Sequence, residues 1–162
     1  WSLRIWEDDL AQMIEDSGKV GGLHEEQDLF RYEVGDDDFD IKSQHINEYL
    51  DALTPKGKHV TAKDFRTWAA TRKAASRLAG QLEAGAVEGR RNTASAVVMT
   101  VANDLGNTPA VARRSYIHPG VLSDWNDGVF RRRWNLATQS RKMHHLSAEE
   151  TTTLHYLRNR GN

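Results

Sequence analysis

The sequence predicts a mainly α-helical fold with a little residual β-structure near the N-terminus. Three observations carry that expectation. Apolar residues recur at helical spacing through most of the chain, capping patterns stand directly ahead of those runs, and one short stretch, Leu29 to Tyr32, reads as a strand. At 162 residues, 38% hydrophobic and 28% charged, the chain is long enough to bury one sizeable core, so a single compact soluble domain is expected.

Taken in order, Asp8 caps a short helix running through Asp16, with Leu10, Met13 and Ile14 on one face, before the glycine-rich break from Gly18 to Gly22. The strand at Leu29 is followed by an acidic turn, Gly35 to Asp40. Ser43 then reads as the N-cap of a helix carrying Ile46, Tyr49, Leu50 and Leu53, which Thr54, Pro55 and Gly57 end. Thr61 and Asp64 form a capping-box pattern that opens a long helix, with Phe65, Trp68, Ala69, Ala75 and Leu78 along one side; Arg66 falls in its first turns. A helix over roughly 84 to 105 carries Val97, Val98, Val101 and Leu105 and stops at Gly106. Thr108 followed by Pro109 restarts a helix, since a Thr N-cap and a proline at the first helical position both suit the free amides there. That helix is expected to reach His118, where Pro119 breaks it. The tail holds Arg131 to Trp134, a polar stretch, and a second box, Ser147 to Glu150, ahead of a helix with Leu154 and Leu157.

Composition excludes several function classes. Without cysteine there is no disulfide framework, thiolate metal site or cysteine nucleophile, and the chain is compatible with a reducing, cytoplasmic compartment. No apolar run is long enough for a spanning helix, so no membrane partner is expected. The opening, WSLRIWEDDL, reads as the middle of an element, which predicts that the chain is cut from a longer protein. The formal charge of −1 conceals an asymmetry: residues 1 to 40 hold thirteen acidic and three basic side chains, and residues 41 to 162 ten and nineteen. The cations cluster at Lys56, Lys58, Lys63, Arg66, Arg72, Lys73 and Arg77, at Arg90 and Arg91, at Arg113 and Arg114, and at Arg131 to Arg133. Such clusters suit a polyanion, and solvated helix faces are the alternative.

Spacing disposes of the common site motifs. The run Asp36, Asp38, Asp40 begins like an EF-hand loop but has Ile41 at the sixth position and Asn47 at the twelfth. His144, His145 and His155 lack the spacing that puts two ligands on one helix face. Gly57-Lys58 has no glycine five residues earlier, no Gly-x-Gly-x-x-Gly occurs, and Gly-x-Ser-x-Gly is absent, so neither a nucleotide cofactor nor a serine hydrolase is supported.

What remains is VTAKDFRTWAAT (60 to 71) and LGNTPAVARRSYIHP (105 to 119). In these segments the chain resembles the type IB DNA topoisomerases, specifically their bacterial and poxvirus-like branch. That family carries an active-site arginine in a Lys-Asp-Phe/Leu-Arg-Thr run and, roughly fifty residues on, Leu/Val-Gly-His/Asn-Thr-Pro nine positions ahead of a nucleophilic tyrosine. Here Arg66 and Tyr116 are fifty apart and Asn107 and Tyr116 nine apart, with Asn in place of the viral His. The resemblance covers roughly residues 1 to 125, the C-terminal part of the catalytic domain, and leaves 126 to 162 as a helical tail. It implies catalytic roles for Tyr116, Arg66 and Asn107.

The residue chemistry agrees. A phenol with a pKa of about 10 is a poor nucleophile at neutral pH and needs a cationic, donor-rich pocket. Arg66 offers a planar fork for two phosphate oxygens and Asn107 an amide donor for a nonbridging one. Lys63, Arg113 and Arg114 are expected to contact DNA, Arg113 from one turn before Tyr116 on the same helix face. Phe65, Trp68 and Val111 are assigned to the core. Taken singly, Arg66 reads as a surface helix residue and Tyr116 as a core aromatic with a satisfied hydroxyl. Ala70 stands where the family often has Gly, which bears on close packing near Trp68.

The resemblance implies attack by Tyr116 on a phosphodiester of double-stranded DNA, giving a 3′-phosphotyrosyl link and a 5′-hydroxyl, swivelling, and resealing. The bond energy is kept in the link, so no cofactor, whether ATP or metal, is required. The family's second arginine and its general-acid lysine lie ahead of the segment that Trp1 begins. Loss of a general acid costs about 10²- to 10⁴-fold, so residues 1 to 162 alone are expected to be nearly inactive. A monomeric, nucleoid-associated protein is expected. Two alternatives stand beside this reading: a tyrosine recombinase or integrase, whose first motif normally reads His-x-x-Arg where this chain has Lys63-Asp64-Phe65-Arg66, and a non-catalytic DNA-binding module in which Tyr116 is structural.

Overall fold

The computed structural model describes residues 6–19, 29–83 and 89–161. It divides into two compact units, residues 1 to 62 and residues 63 to 162.

The first unit contains α1 (Asp8–Ser17), the antiparallel pair β1 (Arg31–Val34) and β2 (Asp37–Asp40), and α2 (Ser43–Leu53). The acidic stretch expected as a turn, Gly35 to Asp40, is therefore mostly strand, with only Gly35 and Asp36 forming the turn. Gly35, at φ 67°, takes the first place of a two-residue hairpin loop, where a II′ turn needs a positive φ. Tyr32 and Phe39 pair across the ladder with ring centroids 5.5 Å apart. The like charges of β2 are held apart by cations: Arg31 reaches Asp38 and, at 3.4 Å, Asp40, and Lys42 lies 2.9 Å from Asp40. Lys42, one residue earlier than expected, caps α2. Among the described residues neither α1 nor α2 contains a buried one, so the apolar faces read from Met13, Ile46, Tyr49 and Leu53 lie exposed. Val20 and Gly21 to Gly22 of the expected break lie outside the described residues.

The second unit is wholly helical among its described residues: α3 (Ala62–Glu83), α4 (Arg90–Leu105), α5 (Pro109–Ser115), α6 (Pro119–Asn126), α7 (Phe130–Thr138), α8 (Ala148–Arg158) and a final 3₁₀ turn (Asn159–Gly161). Its core joins Ala70, Ala74, Ala75 and Leu78 of α3 to Val97, Val98 and Val101 of α4, Val121 and Trp125 of α6, Phe130 of α7 and Tyr156 of α8. The alanines at helical spacing let neighbouring helices approach α3 closely. Ala70 is fully buried in that face. Phe65 is not a core residue: it is 58% exposed, because the roughly 100° step per residue carries it about 120° away from the middle of the buried stripe. Trp68 and Val111 are half-buried.

Residues 84 to 88 of the predicted fourth helix lie outside the described residues; from Arg90 it runs to Leu105, with Gly106 at φ 61° ending it as expected. The helix expected to reach His118 instead ends at Ser115, and Pro119 opens a new helix rather than only closing one. A residue before proline is driven out of the α region, and His118 takes φ −57°, ψ 121°, where its ring Nδ1 accepts from Gly120 N at 3.1 Å as an N-cap. Ser147 and Glu150 form the expected capping box of α8. Helix α7 was not anticipated; Phe130, Trp134 and Ala137 supply its inner face, masked in the sequence by three consecutive arginines.

At the centre of this half sits Asp124, 2% exposed. It accepts from Arg133 Nη1 at 2.5 Å, Arg160 Nε at 2.9 Å and the Tyr156 hydroxyl at 2.7 Å, tying α6, α7, α8 and the terminal turn to one carboxylate. Burial pushes the Asp124 carboxyl up, but the hydrogen bonds from Arg160, Arg133 and Tyr156 outweigh it and hold it below the usual carboxylate range. Burial and the same carboxylate drive the Tyr156 phenol far above its ordinary value, which marks it as a structural tyrosine.

Candidate active site

Two side chains of the second unit meet on one backbone carbonyl, and a third element brings a tyrosine ring against one of them. Helix α4 ends in a Schellman arrangement: Gly106 N donates to Asn103 O at 3.1 Å and Asn107 N to Ala102 O at 2.9 Å, with Gly106 in the left-handed conformation. The carbonyl of Leu105 is left without a helical partner, and two side chains fill that need. Arg66 Nη2, from the first turns of α3, donates to it at 2.7 Å, and Asn107 Nδ2 donates to it at 3.1 Å. An arginine 39 positions from this carbonyl in sequence is thereby held beside the asparagine.

The third element brings the tyrosine. Thr108 Oγ1 accepts from Val111 N at 3.3 Å, Pro109 fills the first helical position, and the seven-residue α5 delivers Tyr116 at its C-cap. The Arg66 guanidinium carbon lies 5.3 Å from the centroid of the Tyr116 ring, within cation–π range. Tyr116 is half-buried, its ring packed on the core, and among the described residues its hydroxyl makes no hydrogen bond. That distinguishes it from Tyr156, whose hydroxyl is buried and bonded.

Tyr116 lines an open cleft of about 380 Å³ together with Asp64, Trp68, Thr71, Arg114 and His118. Arg113 lies on the exposed surface of α5, and Arg114 is the one that lines the cleft, because Tyr116, at φ −128°, has left the helical path and the three-residue face relation no longer holds. Lys63 is exposed in the first turn of α3. The structure also sorts the cations. Lys73 and Arg77 share Asp104, each at 2.6 Å, Arg72 pairs with Glu149, and Arg133 with Asp124. Among the described residues Lys63, Arg90, Arg91, Arg113, Arg114, Arg131 and Arg132 are exposed with no ion-pair partner, so they are among the charges open to a polyanion.

Sequence reasoning passed over His118 and Thr71. The His118 signal was its place before a proline, the N-cap position of a new helix. Burial, then the nearby Arg160 charge, push its imidazole below the ordinary value of 6.5, with Asp124 opposing. The unfolded chain therefore takes up this proton at higher pH than the folded one, and stability present above about 6.5 is lost as pH falls through the folded value. Melting temperature is expected to drop between pH 7 and 5, and His118→Asn, which keeps a capping acceptor without titrating, should flatten that slope. Parallel slopes for the two proteins would refute the assignment.

Arg66, Asn107 and Tyr116 thus lie in one region of a mainly helical unit that also presents exposed, unpaired cations. Residues 12–143 match the family model described as "Eukaryotic DNA topoisomerase I, catalytic core". The match spans most of the chain, which belongs to this family and so to the DNA-binding isomerases of the topoisomerase I type. No curated protein matches the chain. Among the described residues no helix is long and apolar enough to cross a membrane.

Proposed function

We propose that this chain carries the tyrosine half of the catalytic centre of a type IB topoisomerase, an enzyme that relaxes supercoiled double-stranded DNA without ATP or metal. The observation that carries the reading is that Arg66 and Asn107 share the Leu105 carbonyl while the Arg66 guanidinium lies over the Tyr116 ring. In this reading the Tyr116 hydroxyl oxygen attacks the phosphorus, its proton passing to solvent, and the bond to the 5′-oxygen breaks. The product is a 3′-phosphotyrosyl link and a free 5′-hydroxyl. After rotation of the duplex the 5′-hydroxyl attacks the same phosphorus and releases Tyr116.

Arg66 has five N–H donors and gives one to Leu105, so the rest of its fork is available to two nonbridging oxygens while the carbonyl keeps it in place. Asn107 adds an amide donor beside it. Both stabilise charge that grows in the transition state, and neither moves to do so. Lys63, Arg113 and Arg114 hold flanking phosphates. The leaving 5′-oxygen needs a proton, and the resemblance implies a general-acid lysine for it and a second arginine in the phosphate clamp. Asn107, in place of His, supports the bacterial-type branch. The protein acts as a monomer on nucleoid DNA.

The test is relaxation of negatively supercoiled plasmid in EDTA without ATP by the full-length gene product, beside residues 1–162 alone. Relaxation by the former only is expected. In single-turnover cleavage, Arg66→Ala should slow adduct formation about 10²- to 10³-fold. Arg66→Lys should recover only part of that, since a point charge lacks the planar fork. Full activity with lysine at this position would contradict the bidentate role.

A further inference from the structure

The strand of backbone from Tyr116 to His118 is neither helix nor sheet, yet it carries the proposed nucleophile. Within it, Tyr116 N and Ile117 N both donate back to Ala112 O, at 3.2 and 2.9 Å, and His118 O accepts from Val121 N at 3.0 Å. Tyr116 O and His118 N are left without backbone partners. Both are met by one side chain: Thr71 Oγ1 donates to Tyr116 O at 3.2 Å and accepts from His118 N at 3.0 Å.

Thr71 is 3% exposed and sits in the middle of α3. A mid-helix threonine ordinarily returns its hydroxyl proton to the carbonyl four residues back. Thr67, one turn earlier, does so, donating to Lys63 O at 3.1 Å. Thr71 directs its hydroxyl across to another element instead. It lies five residues after Arg66, roughly 7.5 Å along the same helix axis. The helix that holds the arginine thus also holds the backbone of the tyrosine, and the buried Ile117 side chain anchors the turn between the two bonds.

We propose that Thr71 is a positioning residue, which locks the Tyr116 turn to the helix carrying Arg66 so that nucleophile and guanidinium keep one register when DNA binds. The inference rests on the reading of Tyr116 as nucleophile. Thr71 touches neither the reacting phosphate nor the tyrosine hydroxyl. It acts through the backbone, and an error of about 1 Å in placing a reacting group costs about 10²-fold.

The test uses the full-length gene product and a short duplex from which the leaving strand dissociates after cleavage, with enzyme in excess. Thr71→Val keeps the shape and removes both bonds; it should bind the duplex as tightly as wild type and form covalent adduct about 10- to 100-fold more slowly at saturation. Thr71→Ser, which keeps the hydroxyl, should restore most of the rate. Should Thr71→Val not fold, Thr71→Ala, which adds no bulk against the turn, takes its place in the comparison with Thr71→Ser. A wild-type rate without the hydroxyl, a defect confined to binding, or an equal defect in Thr71→Ser would each overturn the proposal. Tyr116→Phe runs alongside. If it still forms adduct, the reading of the nucleophile fails; if it is inert while Thr71→Val is normal, only the positioning role fails.

Discussion

Tyr116→Phe is expected to abolish plasmid relaxation and covalent attachment to DNA while duplex binding and thermal stability stay near those of the wild type. The large and selective effect follows from where the hydroxyl sits. The ring is half-buried on the core and Phe retains it, whereas the hydroxyl makes no hydrogen bond among the described residues, so its loss should change stability by less than about 0.5 kcal/mol. A structural tyrosine behaves in the opposite way, losing stability and keeping whatever activity remains. Relaxation and melting measured on the same preparation separate the two. Residual relaxation at the wild-type rate would transfer the nucleophile elsewhere, and the binding-module reading would require that no variant of this residue alter a covalent product.

The largest effect on stability is expected at Asp124. Asp124→Ala removes the carboxylate that faces Arg133, Arg160 and the Tyr156 hydroxyl, leaving two guanidinium groups, each less than a third exposed, and a buried phenol without their acceptor. Removing one partner of such a buried network costs about 3 to 5 kcal/mol. For a unit of about 100 residues, at about 4 to 8 °C per kcal/mol, the melting temperature should fall by on the order of 15 °C or more. Circular dichroism melts read this directly, and a shift of a few degrees would mean that the arginines find other partners. Gly120 bears on the same network: a Cβ there would fall on the Arg160 guanidinium, so the bare backbone of α6 is what lets Arg160 reach Asp124.

The parts of this fold that could be read from sequence are those that local chemistry decides. Gly106 closes α4, Thr108 and Pro109 open α5, and Ser147 with Glu150 opens α8, because each motif satisfies backbone groups within a few residues of itself. Where tertiary packing decides, local signals failed. Phe65 has the right residue type for a core and the wrong angular position on α3. Arg131, Arg132 and Arg133 concealed an amphipathic helix, since Phe130 and Trp134 bury its face and the arginines snorkel outward or pair with Asp124. Pro119 carried both meanings of a proline, a stop and a start, and the N-capping ring of His118 selects the second.

The candidate site shows the same division. Arg66, Asn107 and Tyr116 were legible because their motifs are distinctive in type and spacing. The Leu105 carbonyl that gathers Arg66 and Asn107 was not, since a backbone acceptor has no signature in a sequence. Thr71 was equally silent: a threonine inside a helical run looks like its neighbour Thr67 until the path of the chain around Tyr116 is known. The cation clusters were visible as a total, while their division into internal pairs and open charges depended on Asp104, Asp124 and Glu149 arriving from other helices.

If Tyr116 forms the bond to DNA, identifying the residue to which DNA becomes attached reads this without an intermediate step. The full-length gene product would be reacted with a radiolabelled duplex, the covalent complex trapped in detergent, digested with nuclease and trypsin, and the nucleotide-bearing peptide sequenced by mass spectrometry. Tyr116 is the single tyrosine between the tryptic sites at Arg114 and Arg131. The expected result is a 3′-phosphonucleotide on that peptide, at Tyr116. Attachment at Tyr32, Tyr49, Tyr156 or any other residue, or relaxation without a covalent peptide, would contradict it.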